Sequence, residues 1–169
     1  FYRKLIHNLD QMDTYVIQNA SEAKPKRINI LNCLPDNVYV EPGQSTPEAA
    51  RSAITSLERA VADIKKGDID VLVTAPINKK AMDAEGFGNT GHTEYLQKEF
   101  NAEDVLMFMV SESLKISVVT GHVPLKDVPT LVTEDKIVNK LRLMSESLRR
   151  DFGVVAPKIA VLGLNPHCG

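Results

Sequence analysis

Short apolar runs alternate with amphipathic helical patterns along the chain, and this alternation restricts it to an α/β fold. The runs predicted as strands cover residues 28–31, 71–74, 105–110, 116–120 and 159–164. Several are too uniformly apolar for a half-exposed sheet, which is typical of strands covered on both faces. The link 111–115 is too short for a helical crossover and predicts an antiparallel hairpin. We therefore expect a mixed, mostly parallel sheet with flanking helices.

Two helices stand out in the pattern. One is predicted from Thr46 or Pro47 to about Lys66, where apolar residues recur at three- and four-residue spacing, and Ser45 and Glu48 match a capping box at its start. The other is predicted over residues 134–152, with Thr133 as its N-cap. No linker rich in Gly, Pro or Ser interrupts the chain, so we expect a single α/β region.

Composition excludes several classes of protein. Hydrophobic residues make up 43% of the chain, charged residues 25%, and the formal net charge is -2, which is typical of a globular protein and predicts no nucleic-acid partner. No apolar stretch approaches the roughly 18 residues that span a bilayer, so no membrane partner is expected. The two cysteines, Cys33 and Cys168, lie far apart in sequence, and a reduced, cytoplasmic setting fits them best.

Two histidines directly follow predicted strands. His122 comes after 116–120, and His167 comes after 159–164. Ligands gather beyond the carboxyl ends of strands in α/β sheets, and imidazole is a common ligand of divalent metals. The alternative is that each histidine is a loop residue bonded to backbone. Two ligands are also fewer than the three that catalytic zinc sites use.

The segment 86–91 formally matches the dinucleotide fingerprint G-x-G-x-x-G. A helix start, rather than a strand, is predicted directly before it, so we reject that interpretation. A glycine-rich loop that lets His92 and Thr93 reach a small polar ligand is the better account, and a plain helix N-terminus capped by Thr93 is the alternative. Nearby Lys79 could meet a phosphate, although a surface lysine is the commoner outcome.

Four stretches resemble one family in order and spacing. They are Val73-Thr74-Ala75-Pro76-Ile77-Asn78-Lys79, Gly91-His92-Thr93-Glu94-Tyr95-Leu96, Thr120-Gly121-His122-Val123-Pro124-Leu125-Lys126-Asp127-Val128 and Gly163-Leu164-Asn165-Pro166-His167. The family is that of 4-hydroxythreonine-4-phosphate dehydrogenase. The resemblance implies an α/β fold like that of isocitrate and isopropylmalate dehydrogenases, and a homodimer with its active sites at the subunit interface.

The resemblance also assigns residues and chemistry. It implies that His92 and Thr93 contact the substrate and that His122 and His167 are ligands of a divalent metal, which could be zinc, cobalt or magnesium. The implied reaction oxidises, with decarboxylation, a small phosphorylated hydroxy amino acid, 4-phosphooxy-L-threonine, in pyridoxal phosphate (pyridoxine) biosynthesis. NAD, or alternatively NADP, would accept the hydride; the resemblance assigns no cofactor-binding residue in this chain.

The family's third ligand histidine and its later Lys, Asn and Arg contacts have no counterpart in this chain. We therefore expect the chain to be the central portion of a longer two-subdomain enzyme, incomplete at both ends and inactive alone. Two alternatives stay open. One is a related dehydrogenase of 4-phosphooxy-threonate or erythronate, or more distantly a phosphate acyltransferase, and the other is a non-catalytic metal-binding, ligand-binding or dimerising domain.

Overall fold

The computed structural model describes residues 13–88 and 91–165. The chain divides into two compact units, Phe1–Glu103 and Asp104–Gly169. The first contains, in chain order, β1 (Thr14–Ile17), β2 (Ile28–Leu31), α1 (Pro47–Lys66), α2 (Lys79–Ala84) and α3 (His92–Glu99). The second contains β3 (Phe108–Val110), β4 (Lys115–Ser117), α4 (Val128–Leu131) and α5 (Glu134–Arg150).

In the first unit, β1 and β2 form a two-stranded parallel sheet in which Thr14 pairs with Ile28 and Ile17 pairs with Leu31. The strand predicted at 28–31 is confirmed. β1 is absent from the predicted strands, because four residues with only one buried side chain, that of Ile17, give too short a pattern to separate a strand from a loop.

Helix α1 confirms the predicted helix and begins at Pro47, one of the two predicted starts, but its cap differs from the predicted one. Thr46 is the N-cap, and its hydroxyl oxygen accepts a hydrogen bond from the Ala49 N–H at 3.2 Å. The predicted capping box on Ser45 is therefore wrong. Ser45 Oγ instead accepts a hydrogen bond from Asn78 Nδ2 at 3.1 Å, which links the approach to α1 with the approach to α2.

The inner face of α1 supplies much of the first unit's core. Leu57 and Val61 are buried on it, and burial of side chains of this size contributes roughly 1.5–3 kcal/mol each. Asp63 is buried on the same helix, where Arg59 Nε lies 2.9 Å from its carboxylate. Gly67 ends the helix with a φ of 81°, a conformation that glycine adopts without steric cost.

In the second unit, β3 and β4 form the antiparallel hairpin that the short link predicts. The Ser111 N–H donates to the Leu114 carbonyl at 2.8 Å and closes the turn. Helix α5 begins after Thr133, whose hydroxyl oxygen accepts from the Lys136 N–H at 3.3 Å, so the predicted cap is confirmed. The helix ends at Arg150, slightly before the predicted end.

Lys140 ties α5 to the segment before β3. Its Nζ lies 2.5 Å from Asp104 Oδ1 and 2.6 Å from the Val105 carbonyl, and Asn139 Nδ2 donates to Asp104 Oδ2 at 2.7 Å. Burial raises the pKa of Asp104, but the hydrogen bonds from Lys140, Val105 and Asn139, with the charge of Lys140, outweigh burial and lower the pKa below its ordinary value. Asp104 therefore stays ionised and holds this contact at neutral pH.

Several predicted strands are not seen among the described residues. No strand forms over 71–74 or 159–164, where Val73 is 91% and Leu162 is 89% exposed. The predicted strand 105–110 is reduced to β3, and 116–120 shifts to β4. Strand-forming side chains produce a strand only where a second segment accepts and donates the backbone hydrogen bonds. Residues 13–88 and 91–165 offer no such partner to these apolar runs.

The described part of the chain is thus a mixture of α-helices and small sheets. It has one parallel and one antiparallel two-stranded sheet, and the mostly parallel sheet that the sequence predicts is not seen in it. A search of the described helices finds none that is both long and apolar enough to cross a membrane.

Candidate functional site

Helix α2 provides a fixed base for the candidate site of the first unit. Asn78 caps it, with its side-chain oxygen accepting from the Ala81 N–H at 3.1 Å, while its amide nitrogen donates to Ser45. Met82 is only 1% exposed, and α2 packs against α1. Burial of a methionine side chain contributes roughly 1.5–3 kcal/mol, so the burial of Met82 stabilises the position of α2.

A glycine-rich loop follows α2. Gly86 and Gly88 have φ values of 88° and 83°, where other residues cost roughly 1–2 kcal/mol. Between them, the ring of Phe87 packs on the ring of Tyr95 with centroids 4.8 Å apart. Because a helix and not a strand comes directly before Gly86, the rejection of the dinucleotide fingerprint is confirmed. The ring contact of Phe87 instead holds this part of the loop beside α3.

Helix α3 begins with the two residues singled out in the sequence. Gly91 is its N-cap, and Glu94 Oε2 accepts from the Gly91 N–H at 2.9 Å. His92 and Thr93 are the first two helical residues, and both are half-buried. Thr93 is therefore not the cap that the plain alternative requires. The first-turn N–H groups of a helix lack partners within it and carry partial positive charge, which favours an anionic group nearby.

Tyr95 sits one turn further along α3. Burial raises the pKa of its phenol, and the charges of Glu99 and Glu58 raise it further. The phenol therefore remains neutral at physiological pH and can donate a hydrogen bond but not act as a base. Its ring contact with Phe87 holds the glycine loop against α3.

The second unit carries the other described candidate. His122 lies in the loop after β4 and is exposed, followed by a 3-10 helix at Leu125–Asp127. His167, its expected partner, lies outside the described residues, as does Cys168. Within the ranges that the structure describes, no three His, Cys, Asp or Glu side chains are grouped so as to hold a metal ion. The imidazole of His122 is a suitable donor for a borderline divalent metal, but it is one ligand and not a site.

In α/β proteins, polar residues at helix starts and beyond strand ends are common positions for contacts with small molecules. The family model described as pyridoxal phosphate biosynthetic protein PdxA matches residues 2–169. The chain belongs to this family.

Named relatives agree with that assignment. A 4-hydroxythreonine-4-phosphate dehydrogenase of Bacteroides thetaiotaomicron is 41% identical over 160 residues, which cover 94% of this chain and 44% of the relative. A protein of the same name from Aquifex aeolicus is 42% identical over 155 residues, or 90% of this chain and 47% of the relative.

A solved 4-hydroxythreonine-4-phosphate dehydrogenase from Klebsiella pneumoniae has a similar fold. It superimposes with a TM-score of 0.78 at 31% sequence identity, over 92% of this chain and 49% of that one. The chain thus spans about half the length of the proteins it resembles.

Proposed function

We propose that the protein carrying this chain is an NAD-dependent, metal-dependent dehydrogenase. It would oxidise 4-phosphooxy-L-threonine, with decarboxylation, in pyridoxal phosphate synthesis. The single observation that carries the proposal is the family match over residues 2–169, supported by relatives of that name at 41% identity. NADP is the alternative acceptor. The whole protein would act in the cytoplasm as a homodimer. Its active sites would lie at the subunit interface, and its fold would be like that of isocitrate dehydrogenase.

His92 and Thr93 would contact the substrate. The geometry that supports this is the start of α3, where both side chains are half-buried and follow a buried glycine. A phosphorylated amino acid carries negative charge, and the partial positive charge of a helix start favours it by roughly 0.3–1 kcal/mol. Thr93 can donate or accept a hydrogen bond through its hydroxyl, and His92 can do both through its two ring nitrogens.

His122 and His167 would hold the divalent ion. When bound, such an ion lowers the pKa of a coordinated alcohol and stabilises the developing negative charge. Each imidazole must be unprotonated to bind, so we expect activity to fall as the solution becomes acidic. Further ligands would come from parts of the protein beyond this chain, which we propose to be the central portion of a longer two-subdomain enzyme.

The test of this proposal is His122→Ala in the whole protein. Loss of a residue that merely orients a metal ligand costs roughly 10–100-fold in affinity or activity, so loss of the ligand itself should cost at least as much. We expect bound metal and NAD reduction to fall together. Lys126→Ala, an exposed change a few residues along the chain, is the control. Unchanged metal content in the His122 variant would reject the assignment.

The same assay decides the substrate. NAD reduction followed optically with 4-phosphooxy-threonine, 4-phosphooxy-threonate and 4-phosphooxy-erythronate separates the proposed enzyme from its close relatives. We expect the amino acid to react fastest. No reduction with any of the three would leave a non-catalytic metal-binding or dimerising role as the better reading.

A further inference from the structure

The side chain of Lys79 lies against the N-cap of α3. A Cβ atom added to Gly91 would lie 3.0 Å from Lys79 Nζ and 3.1 Å from both Lys79 Cε and Glu94 Oε2. The φ of Gly91 is -93°, which any residue can adopt, so its backbone conformation does not require glycine. What favours glycine there is the space that the lysine and the glutamate occupy.

The base of the lysine side chain is well anchored. Lys79 is the first residue of α2, directly after the Asn78 cap, and Met82 on the same helix is fully buried. The lysine therefore reaches from a helix packed on α1 to the start of α3. Its neighbour Lys80 is also exposed, is not among the atoms nearest to Gly91, and provides a matched comparison.

Electrostatics indicate why the ammonium group belongs there. A cation at a helix N-terminus opposes the helix dipole, at a cost of roughly 0.3–1 kcal/mol, unless an anion accompanies it. Glu94 supplies that anion, because its Oε2 approaches the same point beside Gly91 and also accepts the Gly91 N–H. The lysine ammonium group and the glutamate carboxylate thus both lie close to Gly91, directly before His92.

We propose that Lys79 is a positioning residue for His92 and Thr93. By its close approach to Gly91 it sets where α3 begins relative to α2, and thereby where the two side chains meet the substrate. The inference rests on the proposed function. It predicts that Lys79 affects substrate binding more than the chemical step, because the residues it positions are substrate contacts.

The experiment measures KM and kcat of the whole protein with 4-phosphooxy-threonine. Small misplacements of contact residues have large kinetic effects, so we expect Lys79→Met to raise KM about tenfold, with a smaller change in kcat. Lys79→Arg should restore part of the loss, because it keeps the charge. Lys80→Met should leave both constants unchanged, and the urea midpoint should be the same for all variants.

Gly91→Ala provides a second, independent probe. The added methyl group would displace the tip of Lys79, so this variant should show the same rise in KM, and the double variant with Lys79→Met should show no further rise. A normal KM in Lys79→Met, or losses that multiply in the double variant, would overturn the inference. Wild-type protein that reduces no NAD at all would instead reject the proposed function, so the two failures are distinguishable.

Discussion

The two described candidate histidines, one in each unit, lie in very different surroundings. His92 is the first residue of α3. The segment before α3 is held by the capped helix α2, by the ring contact of Phe87, and by the Glu94 carboxylate, which accepts from the N-cap. His122 lies in an exposed loop, and no described side chain hydrogen-bonds to it. One residue is held by its own unit, and the other is not.

The difference separates two ways of building a site. A residue that contacts a flexible small substrate benefits from being held in place beforehand, because less entropy is lost when the substrate binds. A metal ligand can be ordered by the ion itself together with the remaining ligands. We therefore expect the first unit to keep its local geometry without any ligand, and the position of His122 to depend more on the ion and the remaining ligands.

The largest expected effect tests the support beneath α2. Met82→Ala removes a side chain that is 1% exposed and should lower the free energy of unfolding by roughly 2–5 kcal/mol. Met109→Ala in the second unit, where the methionine is 49% exposed, should cost about 1 kcal/mol or less. Urea denaturation of both variants measures the contrast. Equal losses would show that the two methionines are equally buried in the folded protein.

An intermediate effect is expected from the ion pair of the second unit. Hydrogen bonds to charged groups contribute roughly 1.5–3 kcal/mol, so Lys140→Met should lower the free energy of unfolding by about that amount at pH 7. Lys136→Met, on the same helix, is the control and should change it little. Guanidinium titrations at constant pH provide the measurement.

The same ion pair predicts that the free energy of unfolding depends on pH. Because the pKa of Asp104 is lowered by folding, its contribution is fully present above the unfolded value of about 3.9 and is lost as pH falls through the folded value. The wild type should therefore lose more stability than Lys140→Met between neutral pH and acid. Parallel losses in the two proteins would show that Asp104 does not depend on Lys140.

The smallest expected effect comes from removing a helix N-cap, and it should be the same in both units. Thr46 and Thr133 cap α1 and α5 with similar geometry, at 3.2 Å and 3.3 Å. Replacing either with alanine should cost about 1 kcal/mol. Thr55→Ala, at an exposed position within α1, should be neutral or slightly stabilising. A larger loss at one cap would reveal a further role for that threonine.

Local rules predicted the helices and the hairpin well. The spacing of apolar residues identified α1 and α5, and the short link at 111–115 identified the pairing of β3 with β4. The N-cap of α1 was misplaced by one residue, because Ser45 and Thr46 are both good caps and sequence alone does not distinguish them.

Contacts between separate segments of the chain could not be predicted from the sequence. Lys79 and Gly91 belong to different helical segments, and no periodic pattern in the sequence predicts that they lie close together. The runs at 71–74 and 159–164 have strand-forming residues, but pairing also needs a partner segment, which the described residues do not contain. His167 lies outside those residues, so its role as a metal ligand stays a prediction.

The exposed side chains of Val71 and Val73 have a practical consequence for handling the isolated chain. Apolar, β-prone segments without a strand partner attract copies of themselves, so we expect the isolated chain to aggregate at high concentration. Asp70 and Pro76 bracket the segment, and a charge and a proline in such positions act as gatekeepers that slow this association.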